Sequence, residues 1–156
     1  MLRSQKKLQP VDARGLRFGI VAARYNVELA NALVANCLDM LAKAGADLRV
    51  SRAVRVPGSF EVSAAAAKLA KSGKYDCIIG LGIILRGETS HAHHIADAVA
   101  HGLTNIAIQT GVPTVFGIVN ADNLKQARIR CLGKQHNRGR EAAQTAIQMA
   151  QLWKNL

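Results

Sequence analysis

Residues 80–101 read GLGIILRGETSHAHHIADAVAH, and the fold turns on how this stretch is parsed. The apolar run at residues 77–81 has the length and character of a buried strand. A glycine turn is expected at Gly82, continuing through Arg86-Gly87-Glu88-Thr89-Ser90, with a helix opening at His91. Strand, glycine turn and helix start form the layout of an anion site. Free N–H groups and the positive end of the helix dipole point at whatever sits there. Ser90 suits the N-cap position. His91 would stand beside the anion, and imidazole is the side chain that gives and takes protons near neutral pH.

Gly82 and Gly87 have the spacing of a P-loop, but Glu88 stands where the phosphate-binding lysine belongs, and a carboxylate there would repel a triphosphate. A dinucleotide fingerprint needs a glycine at position 85, which is Leu85. A pocket for a single phosphate with a histidine at its edge agrees with every residue. A tight βα turn whose glycines only permit close packing fits the spacing equally well.

GIILRGETSH, together with RYN at residues 24–26 and VPGSFE at residues 56–61, resembles the lumazine synthase family. The resemblance runs from about Arg17 to Leu152 without a gap, and its three separated motifs occur in the family's order. It implies an enzyme making 6,7-dimethyl-8-ribityllumazine, the riboflavin precursor, and the rest of the chain can be weighed against that expectation.

At 156 residues the chain is long enough for one domain with a full core. Residues 1–15 are expected to be a flexible basic tail and residues 16–156 a single domain. No apolar run approaches the roughly 20 residues that span a membrane, and the start, MLRSQKKLQPVDARG, has no apolar segment of the secretory kind. It is faintly like a transit peptide, though a tail is the plainer reading. Cys37, Cys77 and Cys131 are odd in number and form no CxxC pair. Cys37 and Cys77 fall in apolar runs as core thiols, which suits a reducing compartment and a cytoplasmic protein.

The net charge is +11, which invites a nucleic-acid reading. Aromatic residues make up only 4% of the chain, however, and no zinc-finger spacing or RNP-type motif is present. The positive charge is spread along the chain, as on a solvated basic surface, and would also favour a phosphorylated substrate.

Read in order, residues 16–22 form a buried strand, residues 27–44 a helix ending at Gly45, and residues 48–56 a second strand stopped by Pro57-Gly58. Residues 60–72 are an alanine-rich helix and residues 76–81 the third strand. The helix from His91 is expected to reach about Thr104, with a break before residues 105–109. A fourth strand follows at residues 113–119, then helices at residues 123–131 and 138–154. Strands alternating with helices imply a parallel sheet covered on both faces. The expected fold is therefore a flavodoxin-like three-layer α/β/α sandwich on a four-stranded parallel sheet, reached by right-handed crossovers. Such sheets bind ligands beyond the carboxyl ends of their strands, where all the motifs fall.

On residue type alone, Tyr25 after the first strand is a surface tyrosine or a flat platform for a heteroaromatic ring. The resemblance implies that it stacks on the pyrimidine of 5-amino-6-(D-ribitylamino)uracil. It also implies that Ser59, Phe60 and Glu61 hold the ribityl chain, that backbone groups of Ile83, Ile84 and Leu85 meet the uracil edge, and that Phe116 packs near it. Glu88 and Thr89 match the family's phosphate loop. Arg130, otherwise an ordinary charge at a helix C-terminus, becomes a phosphate-binding arginine reaching a neighbouring subunit's site, and a guanidinium fork suits phosphate. Asn26, Lys134 and Arg138 are secondary candidates.

The implied reaction joins the ring amine to 3,4-dihydroxy-2-butanone 4-phosphate through an imine, expels phosphate and closes the ring with loss of water. It needs positioning and proton shuttling, with His91 as the shuttle, but no redox cofactor and no obligatory metal. His91 and His94, three apart on a helix, could share an ion, yet no carboxylate or cysteine completes a known spacing. The implied partners are small-molecule substrates and copies of the same chain in a homo-oligomer built from pentamers, with no nucleic acid and no membrane. One departure stands out. Where the family usually carries an aromatic, an acid and a further aromatic or apolar residue after the histidine, this chain has Ala92-His93-His94. His136 and Asn120 also replace smaller or hydroxyl residues.

A basic nucleic-acid-binding α/β protein is the competing class. A phospho-receiver shares the fold but requires an acidic pair after the first strand, where Ala22-Ala23-Arg24 stands.

Overall fold

The computed structural model describes residues 10–156. Four strands, β1 (Phe18–Ala23), β2 (Arg52–Val56), β3 (Cys77–Leu85) and β4 (Thr114–Ala121), form one all-parallel sheet in the order β2-β1-β3-β4. Five helices connect and follow them: α1 (Val27–Lys43), α2 (Val62–Lys71), α3 (His91–Thr110), α4 (Leu124–Leu132) and α5 (Arg138–Asn155). Every residue of β1 and the first eight of β3 are buried. Continuous apolar runs are what a parallel sheet covered on both faces demands.

Helices α1 and α5 cover one face and α2 and α3 the other. In α1 the buried residues Leu29, Leu33, Cys37 and Leu41 recur every four positions, one apolar stripe turned to the core. Leu33, Ile20 and Ile79 are fully buried, worth about 1.5–3 kcal/mol each. At the carboxyl end of the sheet, α4 packs on α1 through Ala127 and Cys131, against Leu29, Leu33, Ile83 and Val119. The architecture is the expected flavodoxin-like sandwich.

Several boundaries differ from expectation for identifiable reasons. β3 does not stop at a glycine turn but continues through Gly82 to Leu85. Gly82 is needed there because a side chain would collide with Ser59 Oγ and press on Ala23 Cβ at 3.3 Å. α3 runs unbroken to Thr110 and ends at Gly111, whose φ of 72° suits a glycine C-cap. The polar residues read as a break are absorbed within the helix: Thr104 Oγ1 donates to the Ala100 carbonyl at 2.9 Å, and Gly102 lets α3 close on Ser63 of α2. β2 begins only at Arg52, because Asp47 accepts from the Arg49 backbone N–H at 2.9 Å and holds residues 47–50 in a turn.

The packed chain also starts before residue 16. Ala13 is fully buried and its N–H donates to the Ala44 carbonyl at 2.8 Å. The Asp12 carbonyl accepts from Gln151 Nε2 at 2.5 Å. Residues 11–15 of the expected tail are therefore packed onto the rest of the chain, Pro10 before them is exposed, and residues 1–9 lie outside the described residues.

Candidate active site

β3 is longer than its neighbour on one side. Pairing with β1 ends at Ala22 opposite Leu81, while pairing with β4 continues to Leu85 opposite Ala121. Residues 82–85 therefore have a strand beside them on the β4 side alone. Ser59, 5% exposed, donates its hydroxyl to the Ile83 carbonyl at 3.2 Å, so the Ile83 backbone faces the side that β1 has left. Backbone direction alternates along a parallel strand, which turns Leu85 to the same side. Ile84 turns toward β4, as does Arg86, whose N–H donates to the Ala121 carbonyl at 2.9 Å.

The space beyond the end of β1 is a cleft of about 670 Å³. Its floor is Ile83, Ile84 and Leu85. One wall is the 3-10 turn Ser59–Glu61 with Pro57 and Gly58. Glu61 folds its carboxylate back onto the Gly58 N–H at 3.0 Å, which fixes the turn. Phe60 and Tyr25 line the cleft with 61% and 55% of their surfaces exposed. Aromatic faces left this open can take a flat ring against them. The opposite wall is the first turn of α3, with His91, Ala92, His94 and Ile95.

The start of α3 differs from expectation. Ser90 makes no side-chain cap. The His91 N–H donates instead to Thr89 Oγ1 at 3.4 Å, and the Ser90 hydroxyl is hydrogen-bonded to His94 Nε2 at 3.2 Å. Glu88 and Thr89 sit on the exposed loop leading into the helix, outside the cleft wall.

The other sequence candidates lie elsewhere on the chain. Phe116 is in the middle of β4 opposite Gly80, half-buried against the α2–α3 layer. Asn26 takes a left-handed φ of 57° to start α1, a conformation asparagine tolerates. Arg130, on α4, donates from both terminal guanidinium nitrogens to the Glu141 carboxylate of α5, at 3.2 and 2.7 Å. Arg138 also meets Glu141, at 3.5 Å, and donates to the Phe116 carbonyl. Lys134 is exposed on the loop between α4 and α5.

Thus the fold gathers Tyr25, Ser59, Phe60, Glu61, Ile83, Ile84, Leu85 and His91 around one cleft. Asn26, Glu88, Thr89, Phe116, Arg130, Lys134 and Arg138 do not line it. Sequence reasoning passed over His94 and Ile95 as wall residues, though they follow His91 by three and four and so share its helix face. It also passed over Glu141, the carboxylate that holds both arginines.

The three cysteines are all buried and free. Burial pushes the Cys37 thiol up to about 12 and Cys131 up to about 11, and it raises Cys77 as well. Among the described residues no three His, Cys, Asp or Glu side chains group as a metal site, and no helix is long and apolar enough to cross a membrane.

A ligand cleft past the carboxyl edge of a parallel sheet, walled by aromatic faces and imidazoles, defines an α/β enzyme acting on a small molecule. A sequence model of 6,7-dimethyl-8-ribityllumazine synthase matches residues 15–154. The 6,7-dimethyl-8-ribityllumazine synthase of Aquifex aeolicus (strain VF5) is 43% identical over 146 residues, covering 94% of this chain and 95% of that protein. The chain belongs to the lumazine synthase family of riboflavin biosynthesis.

Proposed function

We propose that the cleft condenses 5-amino-6-(D-ribitylamino)uracil with 3,4-dihydroxy-2-butanone 4-phosphate to 6,7-dimethyl-8-ribityllumazine, releasing one phosphate and two waters. The observation that carries this reading is the overhang of β3 opposite the open faces of Tyr25 and Phe60. A flat heterocycle fits between aromatic walls. The backbone of Ile83 and Leu85 supplies donors and acceptors to its edge, and Glu61 and the 57–61 turn meet the polyhydroxyl chain. His91 moves protons for imine formation, elimination and ring closure. Much of the acceleration comes from holding two reactants that already condense slowly in water.

The phosphate is bound by the loop carrying Glu88 and Thr89, through backbone N–H groups and the Thr89 hydroxyl, and by Arg130 of a neighbouring subunit. One observation supports a shared site: Arg130 lies on α4, which packs against α1 and β4, while the cleft opens between the 57–61 turn and α3. The phosphate would compete with Glu141, which pairs with Arg130 within its own chain. The enzyme is a cytoplasmic homo-oligomer built from pentameric rings, each ring a closed head-to-tail arrangement. Phe116, at the outer edge of the sheet, reaches the uracil across the same boundary.

The test is to mix purified protein with both substrates. Lumazine absorbance should rise with phosphate released one for one. Absence of lumazine at a rate above the uncatalysed mixture, with folded protein, overturns the reading.

A further inference from the structure

We propose that His94 is a second catalytic residue, working with His91 as a paired proton donor and acceptor; this rests on the reaction proposed above. Three observations point to it. His94 lines the cleft alongside His91, whereas the adjacent His93 does not. The two imidazoles are one helical turn apart, a spacing that puts side chains about 5–6 Å from each other on one face. And the Ser90 hydroxyl, which should have capped α3, is hydrogen-bonded to His94 Nε2 at 3.2 Å instead. A side chain that gives up a helix cap to hold an exposed imidazole orients that ring at the cleft.

The chemistry has work for two rings. In elimination, one neutral imidazole takes the carbon-bound proton and the C–H electrons form the new double bond. The C–O bond to phosphate breaks, its electron pair leaves with phosphate, and the second ring, as imidazolium, gives its proton to the departing oxygen. In each dehydration the roles exchange: the ring left neutral takes a proton from nitrogen, and the ring left charged gives its proton to the leaving hydroxyl. Every step leaves one ring charged and one neutral, so the pair is ready for the next step without exchange with bulk water. The other titratable groups on the cleft wall are Tyr25 and Glu61. Glu61 is held by the Gly58 N–H on the opposite side. Arg86 and Glu88 lie on the exposed loop before α3.

Steady-state kinetics with both substrates, from about pH 5.5 to 9, test the pair in His94→Gln, His94→Ala and His93→Gln. His94 is exposed, so none of these changes touches the core. Glutamine keeps a hydrogen bond to Ser90 but cannot shuttle a proton. His94→Gln should lose roughly 10²-fold in kcat, the low end for a general acid–base group, leave both KM values within about twofold, and flatten one limb of the pH profile. His93→Gln should match the parent enzyme. Unchanged kcat and pH profile in His94→Gln, with an active parent, overturns the inference and leaves the proposed function standing. So does a loss confined to KM, or a loss in His94→Ala that His94→Gln restores, since either would make His94 structural support for Ser90. A parent protein that forms no lumazine overturns both.

Discussion

Single side chains carry different burdens around the cleft, and their substitution separates them. His91→Ala should slow turnover toward the low end of the roughly 10²–10⁴-fold expected for general acid–base catalysis, because positioning supplies much of the rate. Stopped-flow absorbance of lumazine formation reads this directly. Complete loss with an intact fold would assign His91 a different role. Arg130→Ala removes charge-assisted hydrogen bonds worth about 1.5–3 kcal/mol. It should raise KM for the butanone phosphate by roughly 10- to 100-fold and that for the uracil much less. Gly82→Ala should be costly for a packing reason. The added methyl would displace Ser59 from the Ile83 carbonyl, costing about 1–3 kcal/mol as overpacking does. Gly87→Ala meets nothing within 4 Å and should leave stability within about 0.5 kcal/mol. Thermal unfolding of the two variants at equal protein concentration makes the comparison.

Among the elements, the joint between α4 and α5 depends on Asn137, which is 2% exposed. Its Nδ2 donates to the carbonyls of Cys131 and Gly133, and its Oδ1 caps α5 at Arg140 N. Cys131 keeps a second donor in Asn36 at 3.3 Å. Asn137→Ala therefore loses one cap and strands one carbonyl, about 2–3 kcal/mol together, visible as a lower denaturant midpoint. The buried thiols make a second prediction at this level. Their folded values lie above the ordinary 9.0, so the folded chain binds more protons than the unfolded one in alkaline solution. The stability they contribute is complete below about pH 9 and is lost as pH rises toward 12, up to about 1.4 kcal/mol per pH unit per thiol. Mass spectrometry after alkylation at pH 8 should find no adduct on native protein and three after denaturation.

The element pattern and the layer order were legible in the sequence, because apolar runs and four-residue stripes report burial directly. The ends of elements were less so. Gly82 read as a turn because a glycine after an apolar run usually is one, yet its role is set by Ser59, 23 positions earlier in the chain. The overhang of β3 that opens the cleft was thus hidden by the residue that permits it. Ser90 read as a cap because local rules see the helix start and not the imidazole one turn along. Tyr25, Phe60, Glu61 and His91 were legible as one group because each follows a strand end, and strand ends of a parallel sheet share one edge. Phe116 was expected at the same edge, but the register sets it opposite Gly80 in the middle of β4, and Arg130 meets Glu141 on another helix; periodicity encodes neither a register nor a pairing between helices.

For the whole molecule, Ile108 is 75% exposed and Val27, Ile129 and Leu152 are also open to solvent, apolar side chains of the kind the proposed ring of subunits would cover. The net charge of +11 would steer the phosphorylated substrate of the proposed reaction toward the protein, an effect that should weaken as salt is raised. The central claim is that each site takes its phosphate-binding arginine from a neighbour. Mixing Arg130→Ala with His91→Ala subunits, dissociated and reassembled, tests it most directly. A mixed ring contains interfaces at which an intact His91 cleft meets an intact Arg130. Lumazine formation should therefore rise above that of either parent, in proportion to the mixed rings counted by native mass spectrometry. Mixed rings with no recovery of activity, or a fully active monomer, would contradict the account.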